Sequence, residues 1–140
     1  MSLAVETLRS SFERVIERAP NLTHRFYEIL FTRYPQTQRM FGRHSGVRQE
    51  KMLAEALTAV IDHLEDAPWL TNTLMGLGAK HAGYGVTDEM YAWVGDSLLA
   101  TLAEVEGAGW TPQVKQAWVR AFGAIASLMQ EGARQALAAA

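Results

Sequence analysis

The sequence contains no cysteine, which excludes a disulfide framework, a thiolate nucleophile and thiolate-held zinc or iron centres. It also lacks a basic run. Thirteen Lys and Arg stand against fifteen Asp and Glu, giving a net charge of −2 and a pI near 6.1. The positive field that nucleic acid or an anionic membrane surface demands is therefore missing, and neither partner is expected. No apolar run approaches the roughly 20 residues of a membrane span. The first ten residues already carry Glu6 and Arg9 inside their apolar pattern, unlike a secretion signal. A soluble cytoplasmic protein is the expectation. Strand-like alternation bounded by hairpin signals, internal repeats and low-complexity linkers are all missing as well. Without thiolates, histidine is the remaining strong nitrogen ligand for a metal.

What the chain does have is helical periodicity over a length that suits one domain, residues 1–140, with 49% hydrophobic residues to build a core. Val5, Leu8, Phe12, Val15 and Ile16 recur at intervals of three and four, with Glu6, Arg9, Glu13, Arg14 and Glu17 on the other side. The four prolines mark helix boundaries. Pro20 closes the first helix, and Asn21 is placed to cap the next, whose apolar face is Phe26, Tyr27, Leu30 and Phe31. Pro35 opens a short turn of helix ending at Met40-Phe41, since proline can begin a helix but not continue one. Gly42 to Gly46 reads as a loop, and Ser45 as the cap of a long helix bearing Leu53, Ala56, Leu57, Val60, Ile61 and Leu64. Asp66-Ala67-Pro68 breaks that helix, and a short helix comes after it. Thr87, with Asp88 and Glu89 behind it, caps a helix whose apolar side is Tyr91, Val94, Leu98, Leu99 and Leu102, ended by Gly107 and Gly109. Thr111-Pro112 starts the last, carrying Val114, Trp118, Phe122, Ile125 and Met129, with a frayed tail expected from Ala136. The fold class is all-α.

Three polar residues intrude on apolar faces. Leu74, Leu77 and His81 share one face of the short helix, and Gly83 and Gly85 end it just past His81, so the imidazole is aimed inward from a helix terminus. It is either a satisfied core histidine or a metal ligand. Tyr27 puts one hydroxyl into a dense aromatic face, where it must bond either a backbone carbonyl or a ligand. Gln49 lies one turn before Leu53 on the same face and is either solvated or turned toward whatever Leu53 covers. Of the other histidines, His24, His44 and His63, the last lies off the Leu53-Leu57-Leu64 face and is expected at the surface.

Phe26-Tyr27-Glu28-Ile29-Leu30-Phe31, Pro35, Met40-Phe41, Gln49 with Leu53, Lys80-His81, Tyr91 and Val94-Gly95-Asp96-Ser97-Leu98-Leu99 together resemble the globin domain of flavohaemoglobins and the single-domain bacterial haemoglobins. The resemblance covers nearly the whole chain, and residue spacings agree as well as residue types. The segments around Leu77-Gly78-Ala79-Lys80-His81 and Tyr84-Gly85-Val86 are also similar to neuroglobin-like bacterial globins.

This resemblance implies a globin fold, helices packed around haem b, with His81 as the proximal ligand of its iron. It also implies that Phe41 packs on the porphyrin, that Lys80 meets a propionate, and that Val86, Tyr91, Val94 and Leu98 line the proximal wall. Tyr27, Gln49 and Leu53 would form the distal side, where a hydroxyl and an amide N–H favour oxygen, which takes on partial negative charge there, over carbon monoxide. One position departs from the family pattern. Flavohaemoglobins tie the proximal histidine to a tyrosine and a glutamate; Tyr91 is kept, but Ala133 stands where the glutamate would be, and Glu131 falls roughly 200° round the helix. The expected function is reversible binding of oxygen, with nitric oxide and carbon monoxide as further ligands. The alternatives are nitric oxide dioxygenase fed by a separate reductase, and a haem-free or sensor globin acting as an interaction module.

Overall fold

The computed structural model describes residues 4–41 and 46–139. Within them the order is α1 (Val5–Arg18), α2 (Leu22–Arg33), a 3-10 turn (Pro35–Met40), α3 (Gly46–Asp62), α4 (Ala67–Gly83), α5 (Asp88–Glu106), a second 3-10 turn (Gly107–Gly109) and α6 (Pro112–Ala139), with no strand among the described residues. None of these helices is long and apolar enough to cross a membrane. The Ser45 cap and His44 lie outside the described residues, as does the expected loop except for Gly46, which opens α3.

Helix starts obey the sequence signals unevenly. The Val114 N–H donates to Thr111 Oγ1 at 3.2 Å, a true cap with Pro112 behind it. Asn21 and Thr87 stand at their cap positions, but neither side chain makes the cap bond. The helix carrying His81 is not short. Asp66 Oδ1 accepts from the Trp69 N–H at 3.2 Å, so Asp66-Ala67-Pro68 both interrupts the chain and starts a helix of 17 residues. An aspartate followed by proline in the first turn serves equally as a break and as a cap. At its other end Gly85 takes φ +86°, which turns the chain so that the Val86 N–H reaches the His81 carbonyl at 3.0 Å. The alanine-rich tail stays helical to Ala139, in keeping with alanine's leading helix propensity.

The apolar faces gather into two clusters of unequal size. The larger, with Leu8, Val15, Leu22, Leu30 and Leu102 almost wholly buried, joins α1, α2, α5 and α6. The smaller consists of Leu74 on α4, Tyr91 on α5 and Met129 on α6, beside the line where α4 lies along α6. Helix α3 packs instead on α2 and α1. Leu53, Leu57 and Val60 on α3, and Leu77 and His81 on α4, are consequently left only half-buried.

A polar anchor crosses the larger cluster. The fully buried Glu106 carboxylate accepts from Arg14 Nε and Nη2, both at 2.9 Å, and from Ser11 Oγ at 2.8 Å, while Trp118 Nε1–H donates to the same serine at 2.8 Å. Three helices meet at this one group. The Arg14 guanidinium holds the carboxyl below the usual glutamate range against the opposing effect of burial. A depressed folded value contributes stability above the ordinary glutamate pKa, and that stability is lost as pH falls through the folded value. Glu106→Gln should therefore cost about 2 kcal/mol in urea unfolding at pH 7, and the gap from the parent protein should close on acidification. A gap that is absent at pH 7 or widens in acid would contradict this role for the anchor.

Candidate functional site

Tyr27 is buried on α2 in a ring of aromatics: centroid distances are 5.0 Å to Phe26, 5.7 Å to Phe31 and 5.4 Å to Phe41. Phe41, half-buried at the end of the first 3-10 turn, also meets Phe31 at 5.5 Å. Burial pushes the Tyr27 hydroxyl above the usual tyrosine range, and the nearby Gln49 amide partly offsets it. Gln49 is half-buried in the first turn of α3. Its neighbour explains how it is held: Glu50 accepts from His24 Nδ1 on α2 at 2.9 Å, fastening the first turn of α3 beside Tyr27. Leu53, one turn further along, packs against the larger cluster.

The second half of the site is built on α4 and the turn after it. His81 Nδ1 lies 2.8 Å from the Leu77 carbonyl oxygen, one turn back. A carbonyl has no proton to give, so this bond requires hydrogen on Nδ1 and leaves Nε2 with its lone pair free. That is the tautomer a metal ligand needs. Among the described residues no group of three or more His, Asp or Glu is placed to hold a metal ion. A metal at His81 would have to bring its other ligands with it. Val86 packs against the smaller cluster, to which Tyr91 belongs, and the buried Tyr91 hydroxyl has no hydrogen-bond partner, with burial pushing it above the usual tyrosine range. An orphaned buried hydroxyl here fits a group absent from the protein atoms.

Val94 is half-buried and Leu98 buried on α5, against the larger cluster, so α5 carries residues of both clusters. The structure thus brings Tyr27, Phe41, Gln49 and Leu53 together on one side and His81, Val86 and Tyr91 on the other. Lys80 is exposed. Glu131 bonds Arg134 at 2.6 Å and Gln135 at 3.3 Å on its own helix, so its carboxylate is engaged away from His81. His63 departs from expectation: it is half-buried, with its ring stacked on Trp69 at 3.8 Å and Nδ1 on the Ala59 carbonyl at 2.7 Å. Trp69, in the first turn of α4, supplies the cover that the α3 periodicity alone does not show. The Leu77 carbonyl and the His24–Glu50 pair are also invisible to sequence reasoning. The first is a backbone atom, signalled only by its place four residues before His81.

Residues 24–129 match the model of the Globin family. The chain is 33% identical over 126 residues to the flavohemoprotein of Bordetella pertussis and 32% identical over 124 residues to that of Bacillus thuringiensis subsp. konkukian, covering 89% and 87% of this chain. It spans only 31% and 30% of the length of those two relatives. Among solved structures, an engineered carbene transferase derived from a candidate nitric oxide dioxygenase of Rhodothermus marinus superposes with a TM-score of 0.84 at 27% identity, over 96% of this chain and 94% of that one. A bacterial globin from Campylobacter jejuni superposes with a TM-score of 0.80 at 23% identity, covering 94% of each chain, a likeness of fold.

Proposed function

This chain belongs to the globin family, and from that premise we propose that it holds haem b between the two halves of the site and reversibly binds oxygen. The observation that carries the proposal is the His81 imidazole, whose Nδ1–H is committed to the Leu77 carbonyl so that Nε2 is left to ligate. The half-buried inner residues of α3 and α4, Leu53, Leu57 and Leu77, would then cover the two faces of a flat apolar group. Phe41 would pack on its edge, Val86, Tyr91, Val94 and Leu98 would line the His81 side, and exposed Lys80 is free to meet a carboxylate at the rim. Haem iron would supply an open coordination position for a diatomic gas.

The chain's own contribution to the gas is two donors in a dry aromatic ring. Tyr27 and Gln49 are close enough to affect one another, so both can address one small volume. The amide can give its N–H to the phenol oxygen, which leaves the phenol proton for the ligand. A partly negative ligand gains most from such a donor, an uncharged one least, so oxygen is favoured over carbon monoxide. Nitric oxide dioxygenase activity, with electrons from a separate reductase, is the second reading, favoured by the likeness to the Rhodothermus marinus protein. Steady-state nitric oxide consumption with a supplied reductase separates it from simple binding. A missing Soret band after haem supplementation would instead point to a haem-free module.

Two outcomes are expected. His81→Ala should abolish axial ligation or stable haem uptake, and its purification with an ordinary five-coordinate histidine spectrum would remove His81 from the role. Tyr27→Phe deletes one hydrogen bond with little change of shape; losing roughly 1 to 2 kcal/mol should speed oxygen dissociation by about 5- to 30-fold, with far less effect on carbon monoxide. Stopped-flow displacement measures both. An unchanged oxygen off-rate would mean that the hydroxyl does not serve the ligand.

A further inference from the structure

On α4, two neighbouring stripes run side by side. Leu77 and His81, four apart, are half-buried on the face that the proposed haem would cover, while Leu74 and Gly78, also four apart, are buried against α6. Gly78 sits so close to α6 that a Cβ placed on it would land on the backbone carbonyl of Met129. The contact is reciprocal. A Cβ on Gly132 of α6 would land on the backbone carbonyl of Met75. Backbone is the obstacle in both cases, so no side-chain rotation relieves it, and the two helices touch main chain to main chain at two points. Gly76, on the same helix, faces open space and shows that a glycine in α4 is not forced by helix geometry.

The position of this seam gives it a consequence beyond stability. The carbonyl that fixes the His81 ring is that of Leu77, and the peptide it belongs to continues directly into Gly78. The acceptor is thus one peptide unit from a backbone contact that cannot slide. Ala133 and the engaged Glu131 leave α6 with no carboxylate offered to His81 at this level, so ring orientation is left to the main chain. We infer that Gly78 and Gly132 are positioning residues for His81: by locking α4 onto α6 they set the height and rotation of the imidazole relative to the haem iron. This inference rests on the proposed ligation of iron by His81.

The test reads the iron–histidine stretching band of the ferrous, ligand-free holoprotein by resonance Raman. Gly78→Ala and Gly132→Ala should each displace and broaden the band, and haem transfer to an acceptor apoglobin should accelerate by about 10- to 100-fold, the usual effect of losing the group that orients a metal's histidine. Leu74→Ala, which loosens the same seam without a clash, should lower the melting temperature and leave the band in place. Gly76→Ala should leave both the band and haem retention unchanged. Folded Gly78→Ala and Gly132→Ala proteins with the parent band would overturn the inference, as would a Leu74→Ala band that moves equally. Should both glycine variants fail to hold haem, the parent protein decides: the His81 Nδ1 proton of its cyanide-bound ferric form should exchange slowly with solvent, and fast exchange would overturn the inference. Absence of any iron–histidine band in the parent protein would strike the ligation itself, a separate failure.

Discussion

The arrangement of this molecule depends on α4 lying along α6 and not along α3, the helix just before it in the chain. Two consecutive helices of 17 residues, each with an apolar face, would ordinarily close on one another. Here α4 is drawn to α6 by a main-chain contact that only glycine permits, at Gly78 and Gly132, and α3 is drawn to α2, where His24 and Glu50 clasp it. Each helix is held from behind. Their facing residues, Leu53, Leu57 and Leu77 among them, are left half-buried because the partner each would take is engaged elsewhere. That division of contacts leaves apolar residues of both helices free to cover a flat group, with a phenol and an amide on the α2–α3 side and an imidazole on α4, as the proposed function requires.

Holding α3 and α4 in these separate positions requires a rigid remainder, and Glu106 shows where the rigidity comes from. A carboxylate with no solvent exposure loses its hydration on folding, and that loss is offset only because Arg14 grips it with two nitrogens and Ser11 adds a third donor. The serine is itself fixed by Trp118, so one charge ties α1, α5 and α6 at a single point. The geometry tolerates little sliding among these helices. Since α5 carries Tyr91, Val94 and Leu98, and α6 carries Met129 and Gly132, the anchor also fixes the floor on which the two halves of the site stand.

Much of this is legible in the sequence, and the rest is not, for physical reasons. Helical periodicity in Val5 to Ile16 or Val114 to Met129 is local, so these helices can be read directly. Tyr27, Gln49 and His81 are conspicuous because each interrupts an apolar face at a family-like spacing. Partners far apart in sequence leave no such mark: Arg14 and Glu106 are separated by 92 positions, and nothing near either names the other. Residue type alone points to Asn21 and Thr87 as caps, yet a cap bond also requires a side-chain geometry that these two do not adopt. Gly78 and Gly132 look like ordinary helix-weakening residues, because the backbones they admit lie on another helix. His63 looks exposed because the ring that covers it also belongs to the next helix.

The two sides of the site are alike in presenting uncharged groups, and that bears on what chemistry they suit. On the Tyr27 side the buried phenol and the half-buried Gln49 amide are uncharged donors, and the nearby Glu50 carboxylate is bonded to His24. On the other side the acceptor for His81 is a neutral carbonyl, where a carboxylate would have drawn the Nδ1 proton toward itself and made the imidazole a stronger electron donor. Ala133 offers no oxygen, and Glu131 is turned to Arg134. Tyr91 could donate a hydrogen bond but carries no negative charge with which to pull a proton away. With haem bound as proposed, a carbonyl-bonded imidazole on one face and two uncharged donors on the other would stabilise a modestly polarised ligand without driving cleavage of its O–O bond. On the proposed reading that balance would favour holding oxygen over breaking it, and it would arise from the residues on both faces together, not from either face alone.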